Sequence, residues 1–178
     1  MSWRLATLLA TGGLLLAGCG DDEKKAATGP ARTATSAATA PAAGTLDKAE
    51  YVRRADALCA RFDRLAKPIQ DRLSALDRQG RQVYRTQAPP LLRTAASLAQ
   101  GLLSQLREIP LPRTDAQRAQ AFYAEGDAGI ARVEELAQAV ADGDSARVAT
   151  LAQAIRSGTQ RQRALARAID LRECASGD

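Results

Sequence analysis

From residue 47 onward, apolar side chains recur every three or four positions, with almost no strand-like alternation. That spacing predicts helices with one buried face. Four such stretches follow one another. The first carries Tyr51, Ala55, Leu58, Phe62, Leu65, Ile69, Leu73 and Leu76. Asp47 and Glu50 occupy capping-box positions at its start. Pro68 falls inside the phase, which predicts a kink or a break and restart, and Gly80 marks the turn. The second stretch carries Leu91, Ala95, Leu98, Leu102, Leu106 and Ile109. Pro89-Pro90 is expected to open its main segment, after a turn of helix holding Val83 and Tyr84, because proline is tolerated in a first turn. Pro110 and Pro112 end it.

Thr114 and Gln117 form a second capping box ahead of Phe122, Gly126, Ile130, Val133, Leu136 and Val140. Asp142-Gly143-Asp144 reads as a tight reversal: Gly143 suits a left-handed C-cap and Asp144 the next N-cap. The fourth stretch carries Val148, Leu151, Ile155, Gly158, Gln162, Leu165 and Ile169. Long helices with short connections predict an all-α fold, an up-down-up-down four-helix bundle over residues 47–178. The last two helices, at ~26 residues, would each be about 39 Å long.

The chain before residue 47 has a different character. Leu5 to Ala17 form an apolar run behind Arg4, too short for a bilayer span of ~20 residues but suited to a secretory signal peptide. The run ends in Leu16-Ala17-Gly18-Cys19. That motif resembles the lipobox of bacterial lipoproteins. The resemblance implies cleavage after residue 18 and a diacylglyceryl thioether on Cys19, and two or more acyl chains anchor stably. It therefore implies an extracytoplasmic protein held to the cell membrane by lipid. Residues 19–46 then read as a flexible tether, rich in Ala, Thr and Pro, because they hold too little apolar surface to offset their ordering entropy. The domain as a whole is similar to small helical lipoproteins of high-GC bacteria, on Tyr51 to Cys59 and the late Cys174, a resemblance that brings no known activity.

Cleavage at Cys19 leaves Cys59 and Cys174, which in an oxidising compartment are expected to pair. The pairing carries a geometric demand. Cys59 lies ~18 Å up the first helix, so the fourth helix must end early or its tail must fold back through Leu171.

Candidate chemistry is sparse. The chain has no His, which removes the usual general base and the usual zinc or haem ligand. No cofactor, no metal site and no catalytic residue are expected. The net charge of +5 is spread along the chain, which is not a nucleic-acid signature. Glu125, Asp127, Glu134 and Glu135 read as a solvated face of the third helix. Arg156, Arg163 and Arg167 share one face of the fourth and read as an ordinary charged surface, the alternative being an anion site. Arg61, Arg64 and Arg72 alternate with Asp56, Asp63 and Asp71, a pattern of surface ion pairs.

One constellation stands apart. Gly126 and Gly158 fall in apolar phase on either side of Gly143, which puts them at nearly the same level of an antiparallel hairpin. Two such glycines mean close helix contact or a local void. Phe122, Tyr123, Ile130, Ile155 and Gln162 would surround a void, making these seven residues the candidate ligand pocket. The leading functional expectation is a membrane-tethered, non-enzymatic module that acts on an envelope protein partner. The alternative is a binding protein for a small apolar or amphipathic ligand inside the bundle. An exposed apolar stripe would favour the first, a cavity lined partly by Gln162 the second.

Overall fold

The structure, a computed structural model, describes residues 46–176. The expected signal peptide, the lipidation site Cys19 and nearly all of the tether lie outside the described residues. The described chain is all-α: α1 (Lys48–Gln79), α2 (Arg81–Glu108), α3 (Ala116–Asp142), α4 (Ser145–Ala168) and the short α5 (Arg172–Ser176).

The four long helices alternate in direction. One apolar core joins the start of α1 (Tyr51, Ala55, Cys59), the end of α2 (Leu103, Leu106), the start of α3 (Ala119, Phe122, Tyr123) and the end of α4 (Ala166). A second core at the opposite pole joins Leu76, Ala88, Leu92, Ala137 and Val140, with Val148 against it. This is the up-down-up-down bundle the pattern predicts. Neighbouring helices pack in chain order, α1 on α2, α2 on α3 and α3 on α4, but the ring does not close. Among the described residues no Cα of α1 lies within 8 Å of one of α4, and α5 bridges the two instead.

Caps fall mostly where the sequence puts them. The Asp47 carboxylate accepts from the Glu50 amide at 3.0 Å, and that of Asp144 accepts from the Arg147 amide at 3.0 Å. Gly143 adopts φ 74°, and its N–H reaches the Ala139 and Val140 carbonyls. The reciprocal half of the first capping box is missing, because the Glu50 side chain pairs with Arg53 and Arg54. At Thr114 the expected box does not form. The helix begins at Ala116 after Asp115, whose buried carboxylate lies between Lys48 (3.2 Å) and Arg118 (3.6 Å) rather than over the α3 amides.

None of the prolines inside the helices ends or opens one. α1 runs unbroken through Pro68, and α2 begins directly after Gly80 and runs through Pro89 and Pro90. Each proline deprives the carbonyl four residues earlier of its donor. Those carbonyls belong to Arg64, Arg85 and Thr86, all exposed residues, where water can replace the missing N–H.

Two apolar phases shift. In α2 the buried set is Ala88, Leu92, Ala96, Leu103 and Leu106, while Leu91, Ala95, Leu98 and Leu102 are only half-buried. α2 touches both α1 and α3, so its apolar stripe is wide. In α1, Ala66 is buried and Leu65 is 48% exposed, because α1 has no α4 beside it to cover that side.

The tail satisfies the demand set by the cysteines. α4 ends at Ala168, Asp170 takes a left-handed turn (φ 66°), and Leu171 is fully buried. α5 then folds back, placing Cys174 Sγ 2.01 Å from Cys59 Sγ as a disulfide, with Cα atoms 5.1 Å apart. Asp56, one turn below Cys59, accepts from the Arg172 and Glu173 amides at 3.2 and 3.0 Å. It holds the start of α5 and is not a surface ion-pair partner as its spacing suggested.

Candidate functional site

Between the two apolar cores the bundle is not filled. A cleft of about 730 Å³ opens there, flanked by α1 and α4, floored by α2 and α3, and bounded at one end by the Cys59–Cys174 disulfide. Its volume falls in the ordinary range of ligand sites, about 300–1,000 Å³. The floor is built from small residues: Ala95, Ala96 and Ala99 of α2, Gly126 and Gly129 of α3, and Gly158 of α4. Large apolar groups stand around them, chiefly Phe62, Leu102, Leu103, Phe122, Ile130, Val133 and Ile155. Polar and charged groups also line it: Asp63, Lys67 and Gln70 from α1, Glu125 from α3, Thr159, Gln162 and Arg163 from α4, and Glu173 and Ser176 from α5.

Six of the seven candidate pocket residues line this cleft together: Phe122, Gly126, Ile130, Ile155, Gly158 and Gln162. Tyr123 does not. Its hydroxyl donates to the Leu106 carbonyl at 3.1 Å and lies 3.2 Å from the Tyr51 hydroxyl, which is left to donate to it. Burial raises the pKa of both phenols, and for Tyr123 the hydrogen bond from Tyr51, then the Arg107 guanidinium 5.5 Å from its ring, partly offset that. Tyr123 therefore seals the pole of the bundle and borders only a smaller depression with Arg107 and Asp127.

The two glycines do share a level, but neither simple reading of them holds. A Cβ on Gly126 would meet Leu103 Cδ1 at 2.8 Å and Gln162 Nε2 at 2.9 Å. A Cβ on Gly158 would meet Arg132 Nη1 at 2.8 Å and Glu125 Oε1 at 2.9 Å. Each glycine is thus crowded by side chains rather than by the opposite helix backbone. The open space is one turn away, at Gly129, where a Cβ would meet nothing within 4 Å.

The electrostatics of the cleft separate spent charges from unspent ones. Glu125 accepts two bonds from Arg161, at 2.9 and 3.1 Å, and one from Arg132 at 3.1 Å. Arg161 first, then Arg132, hold its carboxyl below the usual carboxylate range. Lys67 pairs with Asp71 at 3.1 Å. Asp63 and Arg163 have no opposite charge within 4.0 Å among the described residues. Burial raises the Asp63 carboxyl, and the field of Arg163 only partly opposes this.

On the outer face of α3, Asp127 pairs with Arg107 at 2.5 Å and Glu135 with Arg147 at 3.3 Å. Among the described residues no three His, Cys, Asp or Glu side chains are grouped to hold a metal ion. No described helix is long and apolar enough to cross a membrane. The expected arginine face does not act as one unit. Arg163 turns to the cleft, Arg156 donates to Gln153 at 2.7 Å, and Arg167 stays exposed.

Comparison with protein-family models, curated proteins and solved structures gives no match to this chain. Sequence reasoning reached six residues of the cleft through the glycine level but missed the alanine floor, Gly129 and the isolated Asp63. Ala95, Ala96 and Ala99 were visible as a run of small residues, and their effect depends on the ring staying open.

Proposed function

We propose that this chain is a lipid-anchored, extracytoplasmic, non-enzymatic binding protein that takes a small apolar or amphipathic ligand into the cleft of its bundle. The observation that carries this reading is the cleft itself: apolar walls, a floor of small residues and polar groups at its margins, which is the composition of small-molecule sites. The sequence alone favours an interaction module for an envelope protein partner. That reading asks for an exposed apolar stripe, and Leu65 is the one large hydrophobic residue of the described chain that stands exposed. The ligand reading therefore ranks first. The anchor rests on the lipobox resemblance at Cys19.

The test uses the purified full chain and the fluorescent apolar probe N-phenyl-1-naphthylamine. Saturable binding that Gly129→Phe abolishes is expected, because that side chain enters the open space. Absence of saturable binding, or binding indifferent to Gly129→Phe, refutes the cleft as the site.

A further inference from the structure

We propose that the cleft selects a zwitterionic amphiphile with a single long acyl chain, its ammonium group at Asp63 and its phosphate at Arg163. A lysophospholipid with an ethanolamine head has this chemistry. The inference rests on the ligand-binding reading above and adds the class of ligand.

Volume argues for one chain. A methylene fills about as much space as a water molecule, roughly 30 Å³. One chain of sixteen carbons then needs about 480 Å³ and two need about 960 Å³. The cleft offers about 730 Å³. Its α1 flank extends from Cys59 to Gln70, which at ~1.5 Å per residue is about 16 Å, so a sixteen-carbon chain lies there bent rather than fully extended.

Charge argues for the zwitterion. Asp63 and Arg163 belong to the two helices that flank the opening. In a closed ring, α1 and α4 would pack and these groups could meet as an ion pair. Here the helices are held apart, and neither group has an opposite charge in contact. The other charges nearby are engaged, Lys67 by Asp71 and Glu125 by two arginines, except Glu173, which adds a second carboxylate at the disulfide end. An anionic head would answer Arg163 and repel Asp63; a cationic head would do the reverse. A head with both signs answers both, through charge-assisted hydrogen bonds. The raised Asp63 carboxyl fits a buried charge short of compensation in the empty cleft.

The test is displacement of N-phenyl-1-naphthylamine from the full chain by palmitoyl lysophosphatidylethanolamine, palmitate, hexadecylammonium and dipalmitoyl phosphatidylethanolamine. The lysolipid should displace the probe at about tenfold lower concentration than either single-charge amphiphile, the effect of one charge-assisted hydrogen bond. Asp63→Asn should remove its margin over palmitate, and Arg163→Gln its margin over hexadecylammonium, with neither variant melting below the parent chain. Margins unchanged in both variants, or equal competition by the two-chain lipid, overturn the proposal. Equal displacement by all single-chain amphiphiles, abolished by Gly129→Phe, overturns the head selection and leaves the cleft reading standing. No displacement by any of them, with probe binding indifferent to Gly129→Phe, overturns both.

Discussion

Losing the Cys59–Cys174 disulfide should cost this fold a large part of its stability. The bridge spans 115 residues. In the chain-entropy model a loop of that size raises folding stability by about 4.8 kcal/mol, and measured effects typically reach about 2–4 kcal/mol. A domain of this size shifts its melting temperature by roughly 3–5 °C per kcal/mol. Cys59→Ser with Cys174→Ser should therefore lower the melting temperature by about 6–20 °C. The loss should also be uneven. α5 is what bridges α1 and α4, and without the bond its hold rests on the Asp56 hydrogen bonds, the packing of Ala175 on the first core and the burial of the preceding Leu171. Calorimetry and native-state hydrogen exchange on the double variant test both parts. Amides of α5 and of α1 around Cys59 should lose protection first, ahead of the α2–α3 pair. A melting temperature within about 3 °C of the parent, or uniform loss of protection, would refute the idea that the bond closes an otherwise open ring.

Other changes have defined signs. Gly129→Ala and Gly101→Ala place a methyl in open space, so each should raise stability by about 0.5–1 kcal/mol in chemical denaturation, and an unchanged midpoint would count against helix propensity as the controlling term. Gly126→Ala drives a Cβ into Leu103, so overpacking of about 1–3 kcal/mol should outweigh the propensity gain, and a stabilised variant would show that Leu103 can yield. Gly158→Ala meets the paired ends of Arg132 and Glu125, whose displacement should offset the propensity gain and leave the variant nearly neutral in the same assay. The raised Asp63 carboxyl favours folding in its protonated form, a contribution present below its unfolded pKa and lost as pH rises through the folded value. Asp63→Asn should therefore stabilise the empty protein at pH 7 and lose that advantage at acid pH, as followed by thermal melts across pH; destabilisation at pH 7 would refute it. Lipidation predicts a diacyl mass increment on the mature native chain, absent in Cys19→Ala, and an unmodified native Cys19 would refute the anchor.

Much of the fold was legible because helical periodicity and capping are local. Asp47, Asp144 and Gly143 act within one turn of their own position, so their roles need no tertiary information. The prolines show the limit. Whether Pro68 or Pro89-Pro90 breaks a helix depends on whether the freed carbonyl is exposed, which the chain reveals only once packed. The phase of α2 shifted for a related reason: a helix with two neighbours buries a wide face, and the sequence does not state how many neighbours it has. Six residues of the cleft were reached from the levels of Gly126 and Gly158. Tyr123 failed because residues adjacent in a helix point about 100° apart. Phe122 lines the cleft, while Tyr123 turns to Leu106 and Tyr51.

The open ring and the disulfide are better understood together than apart. A bundle whose mid-level carries Ala95, Ala96, Ala99, Gly126, Gly129 and Gly158 lacks the side-chain volume to draw α1 against α4. Burial that a closed ring would gain is forgone, and Leu65 and Phe62 are left partly exposed. A larger apolar residue at Gly129, where a side chain enters open space, would add apolar contact at about 25 cal/mol per Å² buried. Stability is instead supplied at the poles, by two compact cores and by a covalent strap at one end of the cleft. Such an arrangement separates the demands of folding from those of the mid-level. It also gives the unpaired Asp63 a physical context. A half-buried carboxylate without a contact partner works against the empty fold, and local rules are most often broken this way at sites that bind something.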